Sequence, residues 1–400
     1  MQGSYSVIKV VPRSVEDVRF LQGLLQEHTF KGIDVWKPPS RVDSPVAVSV
    51  APEILPVLRG LLTERGLEPK ITIPDVQKEI DKQTIHRILQ LTDGVTFDYS
   101  QYHKLDEINA WTKNITSVYS SLASMFQITT SYEGRPVYAI KISSTNSSAS
   151  KPIFFFDGGI HAREWISPAT MMYMTNQLLE QYGKDVQVTR MVNEFDWYIV
   201  PVFNVDGYDY TWTNDRMWRK TRTKHGICRG VDPNRNWDFE WCKQGASKDP
   251  CSDTYCGPSP FSEPVVKGVA DFIKGLGSDV KAYIDFHSYS EVWMSPWGYT
   301  RDLPKDFDMQ DKGSIQAVDA LKSVYGTTYD HGSIANVLYT ASGSSVDWTY
   351  GVLGIKYSYA VELRDKGEFG FLLPADQIIP TGQETFKALV ALAEFVFNNP

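Results

Sequence analysis

Residues 153–181, IFFFDGGIHAREWISPATMMYMTNQLLEQ, pass from an apolar run through a glycine turn into a helix. Ile153 to Phe156 has the continuous apolar pattern of a buried strand, and Gly158, Gly159 and Pro168 signal a tight turn. The helix reads from Ala169 to Gln181. The same alternation continues on both sides of this unit. Strands are expected at Val137 to Ile142, Trp197 to Val202, Ala282 to Phe286 and Tyr357 to Val361. Helices are expected at Leu105 to Lys113, Glu263 to Lys274, Asp311 to Val324 and Gln383 to Phe397. This order predicts an α/β domain with a mixed sheet, whose ligands collect at the carboxyl ends of strands.

The turn carries His161 and Glu164, three residues apart directly behind the strand. A His and an acid at this spacing also occur on helix surfaces, but the flanking glycines and Pro168 point to a turn. From such a turn an imidazole and a carboxylate converge on one ion, with Zn²⁺ contacts near ~2.0 to 2.2 Å. The strand Ala282 to Phe286 delivers His287 at its end as a third ligand. A His/Glu/His set leaves one coordination position open, the mark of catalytic rather than structural zinc.

A zinc-activated water needs a proton acceptor. The strand Tyr357 to Val361 runs into Glu362, Leu363, Arg364 and Asp365, and Glu362 suits a general base; a structural ion pair with a nearby Arg is the other reading, and spacing does not decide between them. Arg163, Arg219 and Arg235 cluster near the same rim, with Asn234 beside Arg235. A guanidinium fork binds a carboxylate through two parallel hydrogen bonds, so Asn234 and Arg235 suit a substrate carboxylate. A solvated basic face for Met217 to Arg222, and a turn with a surface salt bridge for Asn234 and Arg235, are the plainer alternatives.

Four hundred residues at this composition exceed one small domain. The first 75 residues read as strands at 5–12, 33–37, 46–50 and 69–73, with helices at Val15 to Glu27 and Glu53 to Arg65. That βαββαβ order fits a ferredoxin-like α+β domain at 1–75. A helical connecting segment follows at 76–95, helical from Val76 to Leu91, and the second domain spans 96–400. The net charge of -8 argues against a nucleic-acid partner, and no window approaches the roughly 18 apolar residues of a membrane span. Cys228, Cys242, Cys251 and Cys256 lie close together without CxxC pairs, which favours two disulfides and an oxidising compartment. Sequons at Asn114 and Asn146 point weakly the same way. The opening MQGSYSVIKVV has no long apolar segment, so a secretory signal is expected to have been removed or replaced.

The stretches HAREWISPA, PVFNVDGYDY, RMWRKTR, DPNRNWD, HSYS, YTASGSSVDW and ELRDKGEFGFLLP occur in this order. Together they closely resemble, over nearly the full chain, the zinc metallocarboxypeptidases of the pancreatic A/B type in proenzyme form. The resemblance implies an α/β/α catalytic domain behind an inhibitory propeptide. It implies that His161, Glu164 and His287 bind one zinc, that Glu362 shuttles the proton, and that Arg219 stabilises the oxyanion. Asn234, Arg235 and Tyr339 would grip the substrate's free carboxylate, while Arg163, Ser288, Tyr289 and Phe371 would line the upstream subsites. Val346 stands where basic-specific members carry an Asp, so the pocket formed with Met294, Gly298, Ile334 and Ala360 is expected to prefer aromatic or large aliphatic residues. The family's disulfides would pair Cys228 with Cys251 and Cys242 with Cys256. A secreted monomer is expected, activated by a trypsin-like protease at Arg87 rather than Lys82. Tyr339 and the Asn234–Arg235 pair argue against a small-molecule zinc deacylase, and Glu362 against a binding protein that has lost catalysis.

Overall fold

The computed structural model describes residues 4–25, 31–89, 97–144 and 151–400, with side chains for all of these but 85–89. The ends of two expected helices (Gln26, Glu27, Gln90, Leu91), the Arg87 side chain, residues 92–96 and the Asn146 sequon lie outside the described residues. The chain forms two compact units. One comprises Met1–Gly94 with Asp365–Pro374, the other Val95–Arg364 with Ala375–Pro400.

The first unit runs β1 (Ser6–Val10), α1 (Val15–Leu24), β2 (Ile33–Lys37), β3 (Val46–Val50), α2 (Leu55–Glu64), β4 (Lys70–Ile73) and α3 (Val76–Leu89). Its antiparallel sheet has the order β2-β3-β1-β4, the split βαβ arrangement expected from the element order. Ser14 caps α1 by accepting from the Asp17 amide at 3.1 Å, and proline occupies the first turn of α2. The core gathers Ile8, Val10, Leu21, Val46, Val48, Val50, Leu58 and Leu62. The 365–374 segment is tied up by Asp365, whose carboxylate accepts from the amides of Gly367, Phe369 and Gly370 at 2.7 to 3.0 Å. The Gln83 amide donates to the Leu373 carbonyl at 2.9 Å, and the Phe371 and Trp36 rings lie 5.2 Å apart.

The second unit begins with α4 (Leu105–Val118), β5 (Ala123–Thr130), β6 (Pro136–Ile142), β7 (Ile153–Gly158), α5 (Ile166–Glu180), α6 (Val186–Glu194), β8 (Asp196–Val200) and α7 (Val205–Thr213). A two-residue hairpin, β9 (Lys224–His225) and β10 (Cys228–Arg229), leads to α8 (Pro264–Leu276), β11 (Val280–Ser288) and β12 (Val292–Ser295). The remaining elements are α9 (Phe307–Tyr325), β13 (Asp330–Ser333), α10 (Ile334–Val337), α11 (Ser345–Gly351), β14 (Tyr357–Leu363) and α12 (Ile378–Asn398). Eight strands form one sheet in the order β13-β12-β14-β11-β7-β8-β6-β5. Its centre, β14-β11-β7-β8, is parallel, and antiparallel pairing flanks it through β12 on one side and β6 and β5 on the other. Buried on both faces, these central strands read as near-continuous apolar runs, Ile153 to Phe156 among them.

Both disulfides are present, Cys228–Cys251 and Cys242–Cys256. No helix among the described residues is long and apolar enough to cross a membrane.

Candidate active site

The parallel register assembles the site. His287 on β11 stands beside Glu362 on β14, and Asp285 stands between Asp157 on β7 and Ala360 on β14. In-register residues of parallel neighbours point to the same face, about 4.8 Å apart, so His287 and Glu362 emerge together. Both strands extend two residues beyond the expected ends, placing these side chains on hydrogen-bonded backbone rather than on the loops that follow.

His161 and Glu164 come from the turn between β7 and α5. Gly159 reverses the chain there at φ +68°, a left-handed conformation that suits glycine, and a Cβ would sit 3.0 Å from the Pro168 ring. Ser167 locks the turn, accepting from the Gly159 amide at 2.9 Å and donating to the Phe286 carbonyl at 2.6 Å. A further bond from the Ala162 amide to the Arg219 carbonyl, 3.0 Å, fixes the turn against the Arg219 segment.

The three expected ligands converge. His161 Nδ1 lies 2.8 Å from Glu164 Oε1, His287 Nδ1 lies 3.2 Å from Glu164 Oε2, and the two Nδ1 atoms are 3.2 Å apart. Ligand atoms about 2.05 Å from a tetrahedral zinc are about 3.3 Å from one another, so the set fits one ion without rearrangement. The other nitrogen of each ring faces a carboxylate: His161 Nε2 to Asp232 Oδ1 at 3.1 Å, and His287 Nε2 to Asp285 Oδ2 at 3.0 Å. Such partners fix the tautomer and raise the basicity of the coordinating nitrogen. Neither Asp232 nor Asp285 was singled out from the sequence. The available signals were an acid two residues before Asn234 in DPNR, and an acid two residues before His287 on the same strand face.

Burial alone would raise the Glu164 carboxyl, but the charges and hydrogen bonds of His161 and His287 hold it below its ordinary value. Burial likewise opposes ionisation of Asp232, and Arg219, Arg235 and His161 overcome it. The buried Arg219 guanidinium is held charged by Asp232, Tyr339 and Glu164; it bonds Asp232 Oδ2 at 2.9 Å and lies 3.8 Å from Glu164 Oε1. Burial and then Glu362 push the Tyr339 hydroxyl up, with Arg235 and Arg219 opposing, which keeps it a proton-bearing donor at neutral pH.

The remaining expected residues distribute as follows. Arg235 is anchored by the Gly245 carbonyl at 2.9 Å and the Asn234 carbonyl at 2.7 Å. Asn234 Oδ1 accepts from the Ser345 amide at 2.9 Å, while its nitrogen lies 3.4 Å from Asp285 Oδ2 and 3.1 Å from His287 Nε2. Arg163 is buried rather than at an open rim, with its guanidinium 3.4 Å from the Met217 carbonyl and 3.6 Å from Asp253. The Ser288 amide donates to Glu164 Oε2 at 3.1 Å, and Tyr289 follows it in sequence. Phe371 belongs to the first unit. Met294 pairs with Ala360 across β12 and β14, and a Cβ on Gly298 would lie 2.9 Å from the Ala341 carbonyl and 3.5 Å from Ile334. Val346 is the second residue of α11, 1% exposed.

Fold and site define a mixed-sheet α/β hydrolase with a mononuclear zinc centre. The chain belongs to the zinc carboxypeptidase family: the family model of that description matches residues 108–388, and the carboxypeptidase activation peptide model matches residues 8–83. It is 49% identical to carboxypeptidase B of Astacus astacus over 75% of this chain and 98% of that protein. Its identity to carboxypeptidase A2 of Mus musculus is 42%, over 98% of this chain and 94% of the other. Thrombin-activatable fibrinolysis inhibitor superposes with a TM-score of 0.91 at 38% identity, covering all of both chains. Carboxypeptidase A from Helicoverpa armigera gives 0.90 at 26%, over 100% of this chain and 99% of that one. The chain is therefore a zinc metallocarboxypeptidase of the A/B type carrying its activation peptide.

Proposed function

We propose that this proenzyme removes C-terminal aromatic or large aliphatic residues from peptides and proteins outside the cell. What supports the preference is the apolar, buried Val346 in the first turn of α11, which with Met294, Gly298, Ile334 and Ala360 would form the pocket for the substrate's last side chain. An unpaired ammonium or guanidinium in such surroundings costs several kcal/mol. The neighbouring acid, Asp347, is committed elsewhere, accepting from the Gly298 amide at 2.8 Å and the Tyr299 amide at 2.9 Å. This matters because relatives named both A and B are similar to the chain.

His161, Glu164 and His287 hold the zinc. Bound there, zinc supplies Lewis acidity, polarising a carbonyl and lowering the pKa of a water toward about 7. Glu362, beside His287 in register, takes the proton from the attacking water and returns it to the leaving amine. Arg219 donates to the carbonyl oxygen as negative charge develops, a contribution of about 3 kcal/mol for one donor. Arg235, Asn234 and Tyr339 hold the terminal carboxylate and so restrict cleavage to the last peptide bond. Arg163, Ser288 and Tyr289 contact upstream residues of the substrate. The activation peptide restrains the enzyme until a trypsin-like protease cuts after Arg87, and the mature enzyme acts as a monomer.

Hydrolysis of matched peptides ending in Phe and in Arg tests the preference. Faster release of Phe is expected, and faster release of Arg overturns it. Amidating the terminal carboxylate abolishes cleavage if the clamp is correct.

A further inference from the structure

Asp347 follows Val346 on α11, is fully buried, and has both carboxylate oxygens engaged by one short piece of backbone. The Gly298 amide donates to Oδ1 at 2.8 Å and lies 3.0 Å from Oδ2, which also accepts from the Tyr299 amide at 2.9 Å. Bonds to an ionised acceptor are about twice as strong as neutral ones, and they offset part of the cost of burying a charge. The same backbone is bonded through its carbonyls as well. The Ala335 amide donates to the Trp297 carbonyl at 3.0 Å, and the Ala341 amide donates to the Gly298 carbonyl at 2.8 Å. Ala335 and Ala341 flank Tyr339 in the chain. The approach is close enough to demand glycine: a Cβ on Gly298 would lie 2.9 Å from the Ala341 carbonyl oxygen and 3.4 Å from Asp347 Oδ2.

We propose that Asp347 is the positioning residue of the specificity pocket, holding residues 297–299 so that the Gly298 wall and the segment carrying Tyr339 are built on one support. Asp347 ties that support to α11, the helix that presents Val346. With both oxygens occupied by amides, it acts through the backbone rather than on a substrate side chain. A neutral side chain of the same shape is a poor substitute, because the amide of Asn sets an N–H against the N–H of Gly298 or Tyr299 and leaves one acceptor instead of two. This inference rests on the reading of Val346, Met294, Gly298, Ile334 and Ala360 as the pocket for the substrate's last residue.

Steady-state kinetics of the full chain after trypsin treatment, with matched peptides ending in Phe, Ala and Arg at pH 8, test the two levels separately. Val346→Asp must shift preference from Phe toward Arg, or the pocket reading fails. Given that shift, Asp347→Asn is expected to raise the KM for the Phe peptide about tenfold, with kcat and zinc content within about threefold of wild type. It is also expected to lower the preference for Phe over Ala roughly fivefold, a ratio that does not depend on how much of the preparation folds. Amide hydrogen exchange in the wild-type protein needs no variant: the Gly298, Tyr299 and Ala341 amides are expected to exchange at least roughly 10²-fold more slowly than in a free chain. An unchanged Phe-over-Ala ratio in Asp347→Asn, or free-chain exchange at Gly298 and Tyr299, overturns the proposal. A loss confined to the Arg peptide overturns it too, since Asp347 would then be a substrate-binding acid.

Discussion

Glu362 and His287 are strand neighbours, so the proposed proton acceptor is held by backbone pairing rather than by a loop. Glu362→Gln keeps the shape and removes the base. It is expected to lower kcat by about 10² to 10⁴, with zinc content and KM little changed, as steady-state kinetics beside metal analysis will show. Asp347 makes a second prediction. Burial pushes its carboxyl up to about 7, against the bonds from the Gly298 and Tyr299 amides. A group whose folded pKa is raised contributes fully below its unfolded value, and that contribution is lost as pH rises through the folded value. Between about pH 4 and pH 7 the unfolded chain releases this proton first, so stability from this group falls by up to about 4 kcal/mol across that window. Asp347→Asn is expected to flatten that part of the profile of unfolding free energy against pH, and an unchanged slope refutes the assignment. At this scale the metal ligands were legible because each ends an apolar run or sits in a marked turn. Asp232 and Asp285 were not, because their role is defined by imidazole nitrogens that reach them only after folding.

At the scale of elements, the unit made of β7, its turn and α5 sets the metal geometry. Gly159→Ala forces a side chain into the left-handed region, at a cost of roughly 1 to 2 kcal/mol, with further strain from the approach to Pro168. A lower denaturation midpoint at unchanged m-value, together with weaker zinc binding, is the expected outcome; wild-type stability would show that the turn is not conformationally demanding. The long buried strands and amphipathic helices were readable from periodicity. The edge strands β5 and β13, the short strand β12 and the helices α6, α7 and α11 were not assigned, because short or half-exposed segments lack a clear period and are fixed by their neighbours. Helix starts at Ile166, Phe307 and Ile378 precede the expected ones by three to five residues, since packing rather than an unambiguous cap sets them.

For the whole molecule, the activation-peptide domain predicts latency. The intact chain is expected to hydrolyse a C-terminal Phe peptide more slowly than a trypsin-treated sample, and a chelator should abolish both activities. Equal rates before and after trypsin would remove the inhibitory role. The two-unit organisation followed from the βαββαβ order and the polar stretch after Leu91. The membership of residues 365–374 in the first unit did not, because that segment follows directly on β14 in the chain and nothing local sets it apart.

The sequence by itself determined the class of the fold, the three metal ligands and the acid beside them, since strand period, turn residues and ligand chemistry are local properties. Tertiary structure alone decided which carboxylate faces which imidazole, that Arg219 shares Asp232 with His161, and that Asp157 stands beside Asp285. These relations depend on the register of parallel strands joined through long crossovers, and register is set by packing of the whole sheet rather than by any one segment.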